Sequence, residues 1–245
     1  MGLRVGVLGA AGRMGSTVCA AVEKDEDLEL VARVDVDDSI KSFVDNGVQV
    51  AVDFTTPDAA RDNIMFCLDN SIHVVVGTTG LAPNDLDVIR ERAEASDANA
   101  FVAPNFAVGA VMMMRFAAAA APYFRNAEII ERHHENKIDA PSGTALRTAQ
   151  LMNEQRSESW NAIEPSKETL SGSRGGEEGG VHIHSVRVPG SVAHQEVILG
   201  SPGETLTIRH DSLDRASFMP GVLLAVKKVG ELDGLTVGLE ALLDA

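Results

Sequence analysis

Two textures of apolar and polar positions divide the chain. Up to about residue 105, short apolar runs at 3–8, 28–34, 48–54, 74–76 and 100–103 read as strands, and segments of helical period at 13–24, 57–69 and 83–95 lie between them. Runs that do not alternate predict strands buried on both faces, and strand–helix alternation predicts a parallel sheet with right-handed crossovers. Pro57 and Pro83 stand at helix starts, where the missing N–H costs nothing.

After Asn105 the pattern changes. Residues 108–123 form an Ala/Met-rich helix, 127–132 a strand leading to His133 and His134, and 142–156 a helix with Ser142 as its cap. Residues 157–180, rich in Ser, Glu and Gly, read as an uncovered excursion of the kind that serves as a lid or flap. Residues 181–209 alternate, which predicts an antiparallel sheet with one open face. A helix at 216–230 and a strand at 235–239 return to the first texture. The expected fold class is therefore α/β. A parallel-sheet domain is built from 1–105 and 216–245, and a smaller α+β domain from 106–215 carries an open mixed or antiparallel sheet.

Chemistry enters first at Gly9-Ala10-Ala11-Gly12-Arg13-Met14-Gly15, between the first strand and the first helix. Small residues there let backbone N–H groups approach a pyrophosphate at the positive end of a helix, although a glycine triplet also fits a tight turn without ligand. Asp35 follows the second strand and suits a ribose 2′-hydroxyl, as in Rossmann-like dinucleotide domains. The neighbouring Val36 offers no positive charge for a 2′-phosphate, and Arg13 is the one evident cation in the loop. NADH is accordingly expected to serve at least as well as NADPH. Gly77-Thr78-Thr79-Gly80 and Ala103-Pro104-Asn105-Phe106 follow two further strands, on the edge where ligands of such sheets bind, and they also fit simple turn chemistry.

The densest chemistry is His133-His134-Glu135-Asn136-Lys137-Ile138-Asp139-Ala140-Pro141-Ser142-Gly143-Thr144. Two imidazoles and an ammonium can pass protons, and a capped helix start can hold anions. A polar strand end followed by an ordinary capped helix has the same local pattern, with Asp139 shaping the turn before Pro141.

Composition narrows the partners. A net charge of −15 and 4% aromatic residues oppose nucleic-acid binding by phosphate contacts or base stacking. No apolar run approaches the ~20 residues of a membrane span, and no signal peptide is read ahead of the first strand, so a cytoplasmic location is expected. Cys19 and Cys67 read as buried thiols of a reducing compartment. His182 and His184 share a strand face but lack a third ligand at metal spacing, so they read as surface or interface residues and no metal is expected. His194 and His210 read as structural.

Together these segments resemble the 4-hydroxy-tetrahydrodipicolinate reductase (dihydrodipicolinate reductase) family over essentially the whole chain. The resemblance rests on the 9–15 loop, Asp53-Phe54-Thr55, Gly77 to Gly80, Ala103 to Phe106 and, most specifically, residues 131–145, close to E-x-H-H-x-x-K-x-D-A-P-S-G-T-A. It implies reduction of a cyclic imine dicarboxylate by NADH or NADPH in lysine and diaminopimelate synthesis. A homotetramer is also implied, with 106–215 binding substrate and forming the oligomer. His133 would be the proton donor/acceptor and Lys137 the second donor, while His134, Ser142, Gly143 and Thr144 would hold the carboxylates. The cofactor would lie against Gly9 to Gly15, Asp35, Gly77 to Thr79, and Ala103 to Phe106. Glu135-Asn136 and Ala11 depart from more basic family patterns, which bears on cofactor preference. Aspartate or homoserine dehydrogenases share the glycine loop without the His-His-x-x-Lys segment. A redox-sensing regulator would need a basic DNA-binding module.

One geometric constraint follows. Along a continuous strand His133 and Lys137 would be ~13 Å apart, at ~3.3 Å per residue, too far to act on one ring. The strand is therefore expected to end near His134 and turn.

Overall fold

The computed structural model describes residues 2–161 and 168–243. The chain folds into two compact units, Met1–Val108 with Arg215–Ala245, and Gly109–Asp214.

In the first unit, β1 (Leu3–Leu8), α1 (Arg13–Val22), β2 (Leu28–Val34), the short α2 (Ser42–Asp45), β3 (Val50–Asp53), α3 (Pro57–Asp69), β4 (His73–Val76), α4 (Pro83–Glu94) and β5 (Ala100–Val102) follow in order. Residues 3–8, 50–53 and 74–76 are apolar in long runs because both faces of the sheet are covered; every residue of β3 and β5 is buried. All strand pairs are parallel, in the order β11-β5-β4-β3-β1-β2, where β11 (Leu235–Val237) returns from the far end of the chain. Ile64, Leu68 and Ile89, from α3 and α4, pack on one face with Phe43 from α2. The order reverses at β1, whose two neighbours are β2 and β3. The carboxyl ends of β1 and β3 thus flank a topological switch point, the usual ligand crevice of such sheets.

The second unit contains α5 (Val108–Ala120), β6 (Asn126–His133), α6 (Gly143–Glu154), β7 (Gly176–Glu178), β8 (Val181–Arg187), β9 (Ala193–Ser201) and β10 (Glu204–Ser212), and α7 (Met219–Lys228) and α8 (Glu240–Leu243) belong again to the first. The sheet order is β10-β9-β6-β8-β7. Alternation along β6 turns Ala127, Ile129 and Glu131 inward, toward Ala145, Ala149 and Met152 of α6. Glu128, Ile130 and Arg132 point to the opposite face.

Of the two forms expected for this sheet, mixed or antiparallel, it takes the mixed one: β6 pairs with β8 in parallel while the other pairs are antiparallel. Side-chain alternation is the same in either orientation, so the pattern alone could not distinguish them. The stretch 157–180 is less open than its composition suggested. Trp160 is buried in the core beneath the sheet, the Arg156 guanidinium lies 3.7 Å from the centre of its ring, and Gly176–Glu178 pairs with β8. Residues 162–167 of that stretch lie outside the described residues.

Candidate active site

The first unit gathers its sequence-marked residues along one edge of the parallel sheet, each just beyond a strand. Gly9 and Ala10 donate N–H bonds to the carbonyl that ends β2, Val34, at 2.9 and 3.2 Å. Gly9 adopts φ +74°, and a side chain on Gly15 would strike the Gly9 carbonyl, so the turn closes only with glycine at both positions. No side chain caps α1: its N-cap is Gly12, and no acidic residue stands in its first turn. An uncapped helix start behind a glycine turn is what a phosphate ligand needs. Asp35 accepts the Val36 N–H at 2.9 Å and the Ala11 N–H at 2.7 Å, and these bonds hold its carboxyl below the usual range. It is therefore an ionised acceptor beside the loop. The residues present fit a nicotinamide dinucleotide.

Thr78 does not present its hydroxyl outward. The side chain is buried and donates to Asp53 at 2.8 Å, and Asp53 also accepts from Thr55 and Asn63. Thr79 is exposed, and Asn105 accepts the Ala107 N–H at 2.9 Å. A cleft of ≈ 180 Å³ opens among Met14, Phe54, Gly77, Pro104, Asn105 and Phe218, with the largely buried Phe106 at its base. Phe54 and Phe218 were not singled out from sequence. Phe54 sits inside the Asp53-Phe54-Thr55 motif, which was a signal; Phe218 is far along the chain and gave none.

The second unit builds the segment 131–144 around a carboxylate. β6 ends at His133, and the Lys137 N–H closes a turn on the His134 carbonyl at 3.2 Å. Two residues before the strand end lies Glu131, fully buried. Its Oε2 meets His133 Nδ1 at 2.5 Å, and Arg187 grips both oxygens at 2.9 Å. The Ser142 N–H donates to Oε1 at 3.2 Å. Burial by itself would raise the Glu131 carboxyl, but hydrogen bonds from His133, Arg187 and Ser185 outweigh it and bring it down to about 2.

The same network reaches the lysine. Arg187 donates to the Asp139 carbonyl at 2.6 Å, and Asp139 pairs with Lys137 Nζ at 2.7 Å. That pairing lowers the Asp139 carboxyl. The structure thus joins His133, the Lys137 turn and the start of α6, whereas His134 enters the turn through its carbonyl. Ser142 is narrowed in role. Its hydroxyl accepts the Ala145 N–H at 3.3 Å, its N–H is taken by Glu131, and it is 3% exposed, so it shapes the helix start. Gly143, the first helical residue, has open space around it. Glu131 and Arg187 were the residues that sequence reasoning left without a role.

The remaining histidines are on the sheet or beside it. His184 pairs with Glu128 at 2.8 Å, and Glu128 also pairs with Arg174; His194 pairs with Asp211 at 2.6 Å. Among the described residues no group of three or more His, Cys, Asp and Glu is placed to hold a metal ion, and no helix is long and apolar enough to cross a membrane.

The chain is similar to known proteins over nearly its whole length. The family profiles "Dihydrodipicolinate reductase, N-terminus" and "Dihydrodipicolinate reductase, C-terminus" match residues 3–106 and 109–243. A 4-hydroxy-tetrahydrodipicolinate reductase of Nocardia farcinica is 53% identical over 100% of both chains, and one of Mycolicibacterium vanbaalenii 53% over 99% of both. The solved structure of a dipicolinate-bound dihydrodipicolinate reductase from Paenisporosarcina sp. TG-14 superposes with a TM-score of 0.89 at 41% identity, covering 98% of this chain and 99% of that one. A dehydrogenase of Thermotoga maritima, 14% identical with a TM-score of 0.62, shares the fold alone. With both profiles matched and full-length relatives at half identity, the chain belongs to the dihydrodipicolinate reductase family.

Proposed function

We propose that the chain reduces the cyclic imine dicarboxylate formed by loss of water from 4-hydroxy-tetrahydrodipicolinate, giving tetrahydrodipicolinate in lysine and diaminopimelate synthesis. The observation that carries this reading is the 131–144 network. In it a carboxylate-anchored imidazole, the loop of Lys137 and a capped helix start share one hydrogen-bonded group. The relative that binds dipicolinate supports it.

The first unit is assigned to the dinucleotide and the second to the dicarboxylate. When bound, the nicotinamide supplies the hydride. The α1 start and the glycine turn hold the pyrophosphate, and the cleft walled by Phe54 and Phe218 takes the ring. Asp35, Asp37 and Asp38 cluster after β2, which favours ribose hydroxyls over a 2′-phosphate and hence NADH. In the second unit the Gly143 N–H, Thr144 and His134 hold the carboxylates, and Lys137 supplies the positive charge that a dianion needs in a protein of net charge −15. His133 donates the proton to the carbon beside the one that accepts hydride. Self-association through the open face of the second sheet, where Ile130 and Val186 are exposed, accounts for a homotetramer. The cytoplasm is the expected compartment.

The test is NADH oxidation on adding the cyclic condensation product of pyruvate and aspartate semialdehyde. Turnover is expected, with kcat/KM for NADH at least equal to that for NADPH. His133→Ala is expected to lower kcat on the order of 10²-fold, the scale of general acid catalysis. Absence of turnover in the parent protein would reject the reading; a hundredfold preference for NADPH would reject the role of Asp35.

A further inference from the structure

The inward face of β6 is apolar up to Ile129 and then carries Glu131, a fully buried carboxylate beneath a sheet otherwise packed with Val181, Ile183, Val197 and Leu199. Packing did not require a charge there. A buried ion pair is commonly no more stabilising than apolar residues of similar size, so its presence asks for another reason. The register supplies one. In the parallel pairing of β6 with β8, Glu131 stands beside Ser185 and His133 beside Arg187. Alternation puts all four on the same face, so one carboxylate meets an imidazole and a guanidinium at once.

We infer that Glu131, held by Arg187, is a positioning residue that fixes the His133 ring with its proton on Nδ1 and leaves Nε2 to exchange protons with substrate. The inference rests on the reading of His133 as the proton-transferring group. Glu131 is locked on both oxygens: Arg187 Nη1 and Nη2 each donate at 2.9 Å, and the Ser142 N–H donates at 3.2 Å. An ionised carboxylate only accepts, so the 2.5 Å contact assigns Nδ1 as the donor. Arg187 is held in turn, by the carbonyls of Val186 at 2.9 Å and Asp139 at 2.6 Å. The guanidinium therefore ties the histidine's anchor to the loop bearing Lys137. Rotation of the imidazole would break its bond to Glu131, and proton transfer is steeply sensitive to such geometry.

Two measurements test this. In the parent protein labelled with ¹⁵N-histidine, the His133 resonances are identified by their loss in His133→Ala. The neutral ring is expected to carry its proton on Nδ1; a neutral ring protonated on Nε2 overturns the inference, and no variant has to fold for that result. The second is a double-mutant cycle. Glu131→Gln, whose amide can also donate and so frees the tautomer, is expected to lower kcat on the order of 10-fold, a part of the general-acid contribution, with a smaller change in dicarboxylate KM. In the His133→Ala background the same substitution is expected to change kcat less than twofold. A full, multiplicative loss in that background shows that Glu131 acts elsewhere and overturns the inference. A near-parent kcat for His133→Ala alone instead defeats the catalytic reading of His133, while the ring spectrum still decides whether Glu131 positions it.

Discussion

The two helix starts proposed to hold anions are built in opposite ways. At α1 the protein adds nothing: the N-cap is Gly12, no side chain closes the helix, and the turn before it is made of backbone. At α6 the protein fills part of its own site. Ser142 caps the helix with its hydroxyl and gives its N–H to Glu131, and next to it the Cα of Gly143 faces open space. The glycines differ correspondingly. Gly15 is demanded by the fold, since a side chain there meets the Gly9 carbonyl, whereas a side chain on Gly143 meets nothing within 4 Å. A bare start suits a pyrophosphate, whose oxygens can satisfy several N–H groups. A part-filled start suits a small, flat dicarboxylate, for which the position of each remaining donor matters more than their number.

Substitution at the two glycines should break this contrast most visibly at α1. Gly15→Ala is expected to weaken NADH binding at least about 100-fold, roughly 2.7 kcal/mol, because the turn must open to admit the methyl group. Fluorescence titration with NADH reads the affinity and thermal melts read the accompanying loss of stability; parent-like affinity would show that the turn tolerates a side chain. The next effect belongs to the filled start. Glu131 is held at about 2 in the folded protein against an ordinary value of 4.5. Its contribution is present above about pH 4.5 and is lost as pH falls toward 2, on the order of 3 kcal/mol in full. Urea midpoints measured from pH 6 down to pH 3 should fall more steeply in the parent than in Glu131→Gln; parallel curves would count against the coupling of that carboxylate to folding. Smallest is Gly143→Ala. Stability should stay within about 0.5 kcal/mol, as for substitutions away from packed features, while the dicarboxylate KM rises severalfold and NADH affinity does not move. An unchanged KM would remove Gly143 from the substrate site.

What the sequence revealed was whatever depends on neighbours close in the chain. Pro57 to Asp69 forms a helix with Pro at its first position, and the apolar runs of the first unit became doubly covered strands. The glycine turn was legible because its strand, loop and helix are contiguous, and strand spacing, with His133 and Lys137 acting on one ring, called for a turn near His134; the strand ends at His133. The missing parts depend on pairing. Arg187 reaches Glu131 across 56 positions, and only the parallel register of β6 and β8 brings them together. Residues 176–178, glycine and two glutamates, have weak strand propensity and become β7 by hydrogen bonding to β8. The four residues of α2 are too few to show a period. The inward turns of the Thr78 and Ser142 hydroxyls were equally hidden, since a residue type says what can bond and not in which direction.

The discontinuous first unit has a consequence for synthesis. Strand β11 hydrogen-bonds to β5 at one edge of the parallel sheet, yet residues 109–214 lie between the two in the chain. During translation the entire second unit leaves the ribosome before that edge can be completed. Until then β5 presents unpaired backbone groups along its outer side, the kind of edge on which nascent chains associate wrongly. The interval is shortest if the inserted unit folds promptly by itself, so fast folding of residues 109–214 protects a sheet to which those residues do not belong.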